Sequence, residues 1–222
     1  MSKTPRTFDP QSHPDGRLDA PAFHRNHEPI WSVLAPYLEG ASGHVLEAGS
    51  GTGQHVVEFA RKSPQLVWWP ADYDADHLQS IEAWRKHADL PNIRPARFID
   101  LSAPDWGLNA DDSRMLTALT AIFCANVIHI APWPVAEGLL ARAGERLRPD
   151  GKLFLYGPFK RDGVHTAPSN EAFDESLRAR DSAWGVRDIA RLEPLAQRGG
   201  LSLAQIVPMP ANNMTLIFER AP

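Results

Sequence analysis

The 222-residue sequence has a single cysteine, Cys124, and no feature of a secreted or membrane-spanning protein. One cysteine excludes an intrachain disulfide and a cysteine-rich zinc site, so we predict a cytoplasmic protein without a metal centre. No stretch approaches the ~18 consecutive apolar residues of a membrane span, which argues against a membrane partner. The first 17 residues also lack an apolar run, so we expect no standard secretory signal there.

The sequence also lacks an excess of positive charge. It has 23 lysines and arginines against 27 aspartates and glutamates, which gives a net charge of −4. Because broad binding of nucleic acid depends on a positive surface, this balance weighs against a nucleic-acid partner. Hydrophobic residues make up 43% and charged residues 23%, which are ordinary globular values that exclude wholesale disorder.

The order of predicted elements favours one α/β domain. Residues 1–21 are polar and proline-rich and predict an irregular lead-in, and residues 22–222 predict a single domain. Strands and helices then alternate, which is typical of a mostly parallel sheet with helices on both faces. The last two strands, 203–207 and 214–219, flank a short Pro-Ala-Asn-Asn turn and should be antiparallel.

Two prolines bear on the predicted helices, because a proline removes a backbone donor. We expect Pro29 in the first turn of the first helix, and a last helix that is either continuous or broken at Pro194. The predicted helices are 24–38, 75–87, 135–147, 170–179 and 188–197, with another after the glycines described below. The remaining predicted strands are 44–48, 66–71, 94–99, 119–127 and 152–156.

Glycines at alternate positions follow the first predicted strand and open a helix. The loop residues are Gly49, Ser50, Gly51, Thr52 and Gly53. Glycine permits a tight turn and a close approach of the backbone to a ligand. The spacing departs from the dinucleotide pattern, and Gln54 stands where a phosphate loop needs lysine. S-adenosylmethionine fits better because it has no phosphate, and Glu47 supplies an acid for its cationic groups. The alternative is an ordinary turn between strand and helix.

Acidic residues follow the second and third predicted strands. Asp72 lies 19 residues after Gly53, where a carboxylate accepts hydrogen bonds from ribose hydroxyls. Asp100 can accept from an adenine amino group, and the N–H of Leu101 can serve a ring nitrogen. We include Asn126, after the fourth strand, in the predicted cofactor site. The alternatives are a helix cap for Asp72, a turn for Asp100 and a structural amide for Asn126.

These positions resemble those of the class I S-adenosylmethionine-dependent methyltransferases. More narrowly, the sequence over residues 22–220 resembles the methyltransferase-like protein 26 family, long catalogued as a domain of unknown function. The matching segments are 25–26, 29–30, 49–55, 126–130, 156–159, 169–170, 173–174, 184–188, 209–213 and 218–220. The resemblance implies a Rossmann-like sheet of seven strands in the order 3-2-1-4-5-7-6 with the seventh antiparallel, S-adenosylmethionine as cofactor, and methyl transfer.

The acceptor side is less specific in sequence. We predict catalytic roles for His129 and Tyr156. His129 lies just beyond the fourth strand, where it can act as a base or bind the substrate. A base is needed only when the acceptor carries a proton at pH 7. The alternative for His129 is a packed histidine bonded to backbone. The predicted substrate-binding residues are Arg25, Asn26, Phe159, Asn170, Phe173, Arg187, Asn212 and Asn213. The first pair is alternatively a solvated helix start, and the last pair a hairpin turn.

Three functions are compatible with this pattern. A methyltransferase of a small molecule is the favoured hypothesis. A protein or RNA methyltransferase is the second, although the Asn/Asp-Pro-Pro-aromatic tetrad of amino-methylating nucleic-acid enzymes is replaced by Asn126-Val127-Ile128-His129. The third is a non-catalytic module that binds the cofactor or its product.

Overall fold

A seven-stranded sheet organises the protein, which the computed structural model describes over residues 11–220. Its strands are β1 (Gly43–Ala48), β2 (Leu66–Asp72), β3 (Arg97–Phe98), β4 (Leu119–Ala125), β5 (Leu147–Gly157), β6 (Leu201–Met209) and β7 (Asn213–Arg220). They lie in the order β3-β2-β1-β4-β5-β7-β6. Neighbours from β3 to β5 are parallel, and β7 is antiparallel to both β5 and β6. The predicted α/β class, strand order and antiparallel last strand are confirmed.

Helices cover both faces of the sheet. They are α1 (Pro21–Leu38), α2 (Gln54–Lys62), α3 (Ala75–Ala88), α4 (Ala110–Met115), α5 (Trp133–Arg146), α6 (Pro168–Arg180) and α7 (Ile189–Arg198). Successive side chains of a strand point to opposite faces, so Val45 and Leu46 enter two different cores. Val45 packs in the core that contains residues of α1 and α2, and Leu46 in the core that contains residues of α5 and α7.

The prediction for Pro29 was wrong, and of the two alternatives for Pro194 the continuous helix is the one observed. Pro21 occupies the first helical position of α1, where its fixed φ suits the start of a helix, and Pro29 lies in the interior. The last helix continues through Pro194. It buries Ile189 and Leu192 against the sheet, and this packing outweighs one lost backbone hydrogen bond.

Two strands are shorter than predicted. β3 has two residues because Pro95 has no N–H for a ladder, although the N–H of Arg94 still donates to the carbonyl of Trp68. β4 ends at Ala125, and Asn126 has a left-handed φ of +59° that turns the chain away from the sheet. The loop after β4 therefore begins two residues earlier than predicted.

Small elements flank the main sheet. Gln11–Ser12 pairs with Leu18–Asp19, so part of the predicted irregular lead-in is a hairpin. Phe159–Arg161 pairs with Val164–His165 and with Arg187–Asp188 in a small sheet that the sequence did not predict. The rest of the predicted lead-in, residues 1–10, and the last two residues of the predicted domain lie outside the described residues, and the domain boundary stays a prediction. No helix within residues 11–220 is long and apolar enough to cross a membrane.

Candidate functional site

A cavity of about 930 Å³ opens at the carboxyl ends of the parallel strands. This is the usual place for a ligand in an open parallel sheet, and the volume is typical of small-molecule sites. The predicted residues that line it are Arg25, Asn26, Glu47, Gly49, Ser50, Gly51, Thr52, Asp72, Asp100, Leu101, Asn126, His129, Asn170, Phe173 and Asn213. Sequence positions from Arg25 to Asn213 therefore converge on one space.

The three glycines of the loop have left-handed φ angles of +81°, +55° and +90° and serve different purposes. A Cβ on Gly49 would lie 2.3 Å from Cγ2 of Val127, and one on Gly53 would lie 2.9 Å from Cα of Ile81. A Cβ on Gly51 would meet nothing within 4 Å, because this residue faces the cavity. Gly53, which was predicted to bind cofactor, instead permits the loop to pack against α3.

Backbone hydrogen bonds hold the loop against β2. The N–H groups of Gly49 and Ser50 both donate to the carbonyl of Ala71 at 2.9 Å, and the N–H of Ala71 donates to Oγ of Ser50 at 3.1 Å. The Thr52 hydroxyl donates to Oε1 of Gln54 at 2.9 Å. The loop is therefore shaped by protein contacts alone, before any ligand contributes.

Glu47 is a buried acid at the edge of the cavity. Its Oε2 has no hydrogen-bond partner among the described residues. Burial raises the pKa of this carboxyl to about 8, and the nearby Asp72 charge acts in the same direction. The group is therefore largely protonated at pH 7, and a cationic ligand beside it would favour its ionised form.

Asp72 holds the glycine loop as well as facing the cavity. Its Oδ2 accepts from the N–H of Gly51 at 2.8 Å, and its Oδ1 accepts from the N–H of Asp74 at 3.0 Å and lies 3.3 Å from Nδ1 of His77. Asp74 caps α3 by accepting from the N–H groups of the first turn. The capping role considered for Asp72 thus belongs to Asp74, and the ribose-binding role of Asp72 stays a prediction.

Asp100 lies in the turn that the alternative interpretation described. Its Oδ1 accepts from both the N–H and the hydroxyl of Ser102, at 2.9 and 2.6 Å. Asp100 and Leu101 also line the cavity, which is compatible with the adenine-binding role predicted for them. The structural and ligand-binding interpretations are compatible here.

His129 lies in the loop after β4 and is 1% exposed. Its carbonyl accepts from the N–H of Gly185, but neither ring nitrogen has a partner within residues 11–220. Burial, together with the nearby Arg187 charge, lowers the pKa of the imidazole to about 3. A Cβ on Gly157 would lie 2.3 Å from Nε2, so this glycine makes room for the ring. The ring is neutral at pH 7 and closely packed, and its catalytic role stays a prediction.

Two residues predicted for the acceptor, Tyr156 as catalytic and Phe159 as substrate-binding, are not among the lining residues. Tyr156 is buried in the core beside α1, where burial raises its pKa and the neighbouring Asn26 and Asn213 amides oppose the rise. Phe159 is fully buried and its ring meets that of His129 edge-on at 5.0 Å. Tyr156 belongs to one hydrophobic core and Phe159 to the other, so both side chains lie behind the residues that line the cavity. The sequence alone did not determine which of these residues would face the cavity.

Arg187 and Asn212 also lie outside the lining. Nε of Arg187 donates to the carbonyl of Ile128 at 2.8 Å, and its Nη2 donates to the carbonyl of Ala183 at 2.9 Å. Arg187 therefore braces the loop that carries His129. Asn212 has a φ of +59° and makes the turn before β7, as the alternative interpretation proposed. Its Nδ2 donates to Oγ of Ser169, and its carbonyl accepts from Nδ2 of Asn170.

Sequence reasoning missed several lining residues. They include Phe23, His55, Tyr73, His77 and Trp184. Nε2 of His55 lies 2.8 Å from Oδ1 of Asn26, and burial lowers the pKa of this imidazole to about 3. Its position directly after the glycine loop was a usable signal. Trp184 lies in the matching segment 184–188, but only the packing of the chain beyond α6 brings it to the cavity.

Several solved structures with this fold are methyltransferases. An O-methyltransferase family protein from Burkholderia thailandensis superposes with a TM-score of 0.73 at 16% identity, covering 90% of this chain and 57% of that one. An O-methyltransferase family 2 protein from Planctomyces limnophilus, in complex with apigenin, gives 0.70 at 15% identity, with 88% and 56% covered. CalO1, a methyltransferase in calicheamicin biosynthesis solved in its SAH-bound form, gives 0.65 at 16% identity, with 89% and 55% covered.

The chain thus spans little more than half the length of these proteins, and likeness at such identity shows the Rossmann-like methyltransferase fold alone. A family model described as a protein of unknown function, DUF938, matches residues 17–220. That match includes the glycine loop, both strand-end acids and His129. The protein belongs to the DUF938 family and has the fold of class I methyltransferases.

Proposed function

We propose that this protein is an S-adenosylmethionine-dependent methyltransferase of a small-molecule acceptor. One observation carries the proposal: a single cavity joins the glycine loop and its acids to His129 and the aromatic residues beyond it. A cofactor site and an acceptor site that share one space are what methyl transfer requires, because the reacting atoms must be brought into line.

The chemistry of the residues at the loop fits the cofactor. Gly51 leaves open space, and Glu47 has an unpartnered buried oxygen that would accept from the ammonium. Asp72 would accept from the ribose hydroxyls, and Asp100 and Leu101 would hold the base. When bound, S-adenosylmethionine supplies a methyl group activated by its positive sulfur.

The apolar part of the cavity lining supports a small acceptor. It includes the side chains of Ile130, Pro132, Val135, Phe173 and Trp184. Such walls with few polar anchors are typical of small-molecule sites, and they exclude water from the reaction. The apigenin complex of the Planctomyces limnophilus protein concerns that protein alone, and we extend only the small-molecule class to this chain.

His129 has the role of a neutral hydrogen-bonding group in this proposal. An imidazole whose pKa is near 3 is a weak base at pH 7, because efficient bases have a pKa near the working pH. Its two unpartnered nitrogens can still accept from, or donate to, the hydroxyl or amine of an acceptor. The residue would thus orient the acceptor and leave a full deprotonation to water.

Binding and turnover test the proposal separately. Calorimetry should detect S-adenosylmethionine and S-adenosylhomocysteine and no binding of NAD, and a folded protein that binds neither sulfur ligand would contradict it. Labelled S-adenosylmethionine should then transfer its methyl group to a metabolite extract and not to protein or RNA extracts. Transfer to either macromolecule would contradict the small-molecule class, and binding without any transfer would favour a non-catalytic module.

The variant His129→Ala assigns the acceptor side. It should lower transfer to the metabolite extract while the affinity for S-adenosylhomocysteine stays within about twofold. Equal loss of both would place His129 in the cofactor site. We also propose kinship with the methyltransferase-like protein 26 family, on the segments quoted above, and a cytoplasmic location, on the single buried cysteine.

A further inference from the structure

Arg25 brings a positive charge to the cavity that the proposed function leaves without a role. It lies near the start of α1, lines the cavity and is exposed. Across residues 11–220 its guanidinium makes no hydrogen bond or ion pair, whereas Arg17, Arg85 and Arg146 each pair with an acid. An unpaired guanidinium retains all five of its donors for a ligand.

The backbone beneath Arg25 is firmly placed. The next residue, Asn26, is buried and its Oδ1 lies 2.8 Å from Nε2 of His55 in α2. Just before α1, the N–H of Ala20 donates to Oε1 of Gln54 at 2.7 Å. These two contacts tie the start of α1 to the helix that follows the glycine loop. The backbone of Arg25 is thus fixed at the cavity wall, while its guanidinium has no partner within residues 11–220.

The charge of Arg25 is opposite in sign to the other charged side chains that line the cavity. Among the described residues that line the cavity, Arg25 is the one arginine or lysine, and the acids are Glu47, Asp72, Asp74, Asp100 and Asp181. The Arg25 charge also reaches the Tyr156 hydroxyl, and Asn213 lies beside the same hydroxyl. Where α1 meets the ends of β5 and β7, the cavity therefore offers the Arg25 guanidinium together with the neutral amides of Asn26 and Asn213.

We infer that Arg25 binds a carboxylate group of a ligand in this cavity. A guanidinium presents two parallel N–H groups that match the two oxygens of a carboxylate. The inference rests on the proposed function, which offers two sources of that group: the amino-acid tail of the cofactor, or an acidic acceptor. A carboxylate from either source would meet the one basic side chain among the described lining residues.

Two probes distinguish the sources in the variant Arg25→Gln. S-adenosylhomocysteine carries the amino-acid tail, and 5′-methylthioadenosine has the same adenosine and thioether without it. If the tail is the source, the variant should bind S-adenosylhomocysteine about tenfold more weakly and methylthioadenosine as the wild type does. If the acceptor is the source, benzoate should bind to wild type saturated with S-adenosylhomocysteine, and the variant should lose that binding.

Controls separate this inference from the proposed function. Arg61→Gln removes an exposed arginine of α2 that pairs with Glu58 outside the cavity, and it should bind every probe like wild type. Arg25→Lys should recover only part of the lost affinity, because lysine keeps the charge without the paired donors. If Arg25→Gln matches wild type with all three probes, the inference is overturned. Failure of the wild type to bind either nucleoside would overturn the proposed function itself.

Discussion

The two ends of the cavity are built in different ways. The proposed cofactor side consists of Glu47, the glycine loop, Asp72 and Asp100, and hydrogen bonds between the loop and β2 hold it. The proposed acceptor side consists of His129, Asn170, Phe173, Trp184 and Asn213, which come from distant parts of the sequence. Contacts between distant segments hold it, such as the 2.9 Å bond from Nδ2 of Asn170 to the carbonyl of Asn212.

Burial has opposite effects on the pKa values of the two sides. It raises the pKa of Glu47 to about 8 and lowers that of His129 to about 3, so both groups are largely neutral at pH 7. Only Glu47 lies where the proposed ligand would bring positive charge. The comparison teaches that the cofactor side is arranged to respond to a cation, and the acceptor side to remain uncharged.

The largest effect should come from Gly51→Val on the cofactor side. The residue has a φ of +55° and its new side chain would enter the open space of the cavity, so binding of S-adenosylhomocysteine should fall below detection by calorimetry. Gly163→Val is the matched control, since Gly163 also has a positive φ and open surroundings but is not among the lining residues. Equal binding by the two variants would remove Gly51 from the cofactor side.

Glu47→Gln should change how stability depends on pH. The carboxyl has a pKa near 4.5 when unfolded and about 8 when folded, so the folded protein keeps a proton that the unfolded chain has lost between these values. The contribution to stability is full below pH 4.5, falls as pH rises and levels off above 8. Glutamine should remove this fall and raise the free energy of unfolding at pH 8 by about 4 kcal/mol. Denaturant titrations from pH 4.5 to 8.5 measure it, and parallel curves for both proteins would contradict it.

Asp72→Ala should weaken the binding of S-adenosylhomocysteine by ~1–3 kcal/mol, because it leaves ribose hydroxyls and the N–H of Gly51 without an acceptor. Calorimetry at one pH measures the change. Asp150→Ala, at an exposed position of β5 that is not among the lining residues, serves as the control. Unchanged affinity would mean that Asp72 only shapes the loop.

The smallest effect should come from Gly157→Ala on the acceptor side. The added Cβ would lie 2.3 Å from Nε2 of His129, so the ring must shift. We expect methyl transfer to a metabolite extract to fall about tenfold, on the scale of a misplaced catalytic contact. Affinity for S-adenosylhomocysteine should not change. A variant that loses cofactor affinity as well would show that the two sides are not independent.

Much of the cofactor side was predictable because its signals are local. The glycine loop and the acids each follow a strand directly. Because the carboxyl ends of parallel strands lie at the same edge of the sheet, these residues come together whatever the order of the strands. The role of Gly53 was wrong in detail, since its contact is with Ile81, which lies in the next helix. The strand order followed from the resemblance to methyltransferases, supported by the alternation of elements and the short last turn.

The acceptor side was less predictable because its residues are assembled by packing. The sequence by itself determined the α/β class, the glycine loop and the neighbouring acids, since each depends on periodicity or on residues a few positions apart. Only the tertiary structure decided that Tyr156, Phe159 and Arg187 support the wall while His55 and Trp184 line it. The reason is physical: which side of a wall a side chain occupies depends on contacts between segments far apart in the chain, and spacing along the sequence does not encode them.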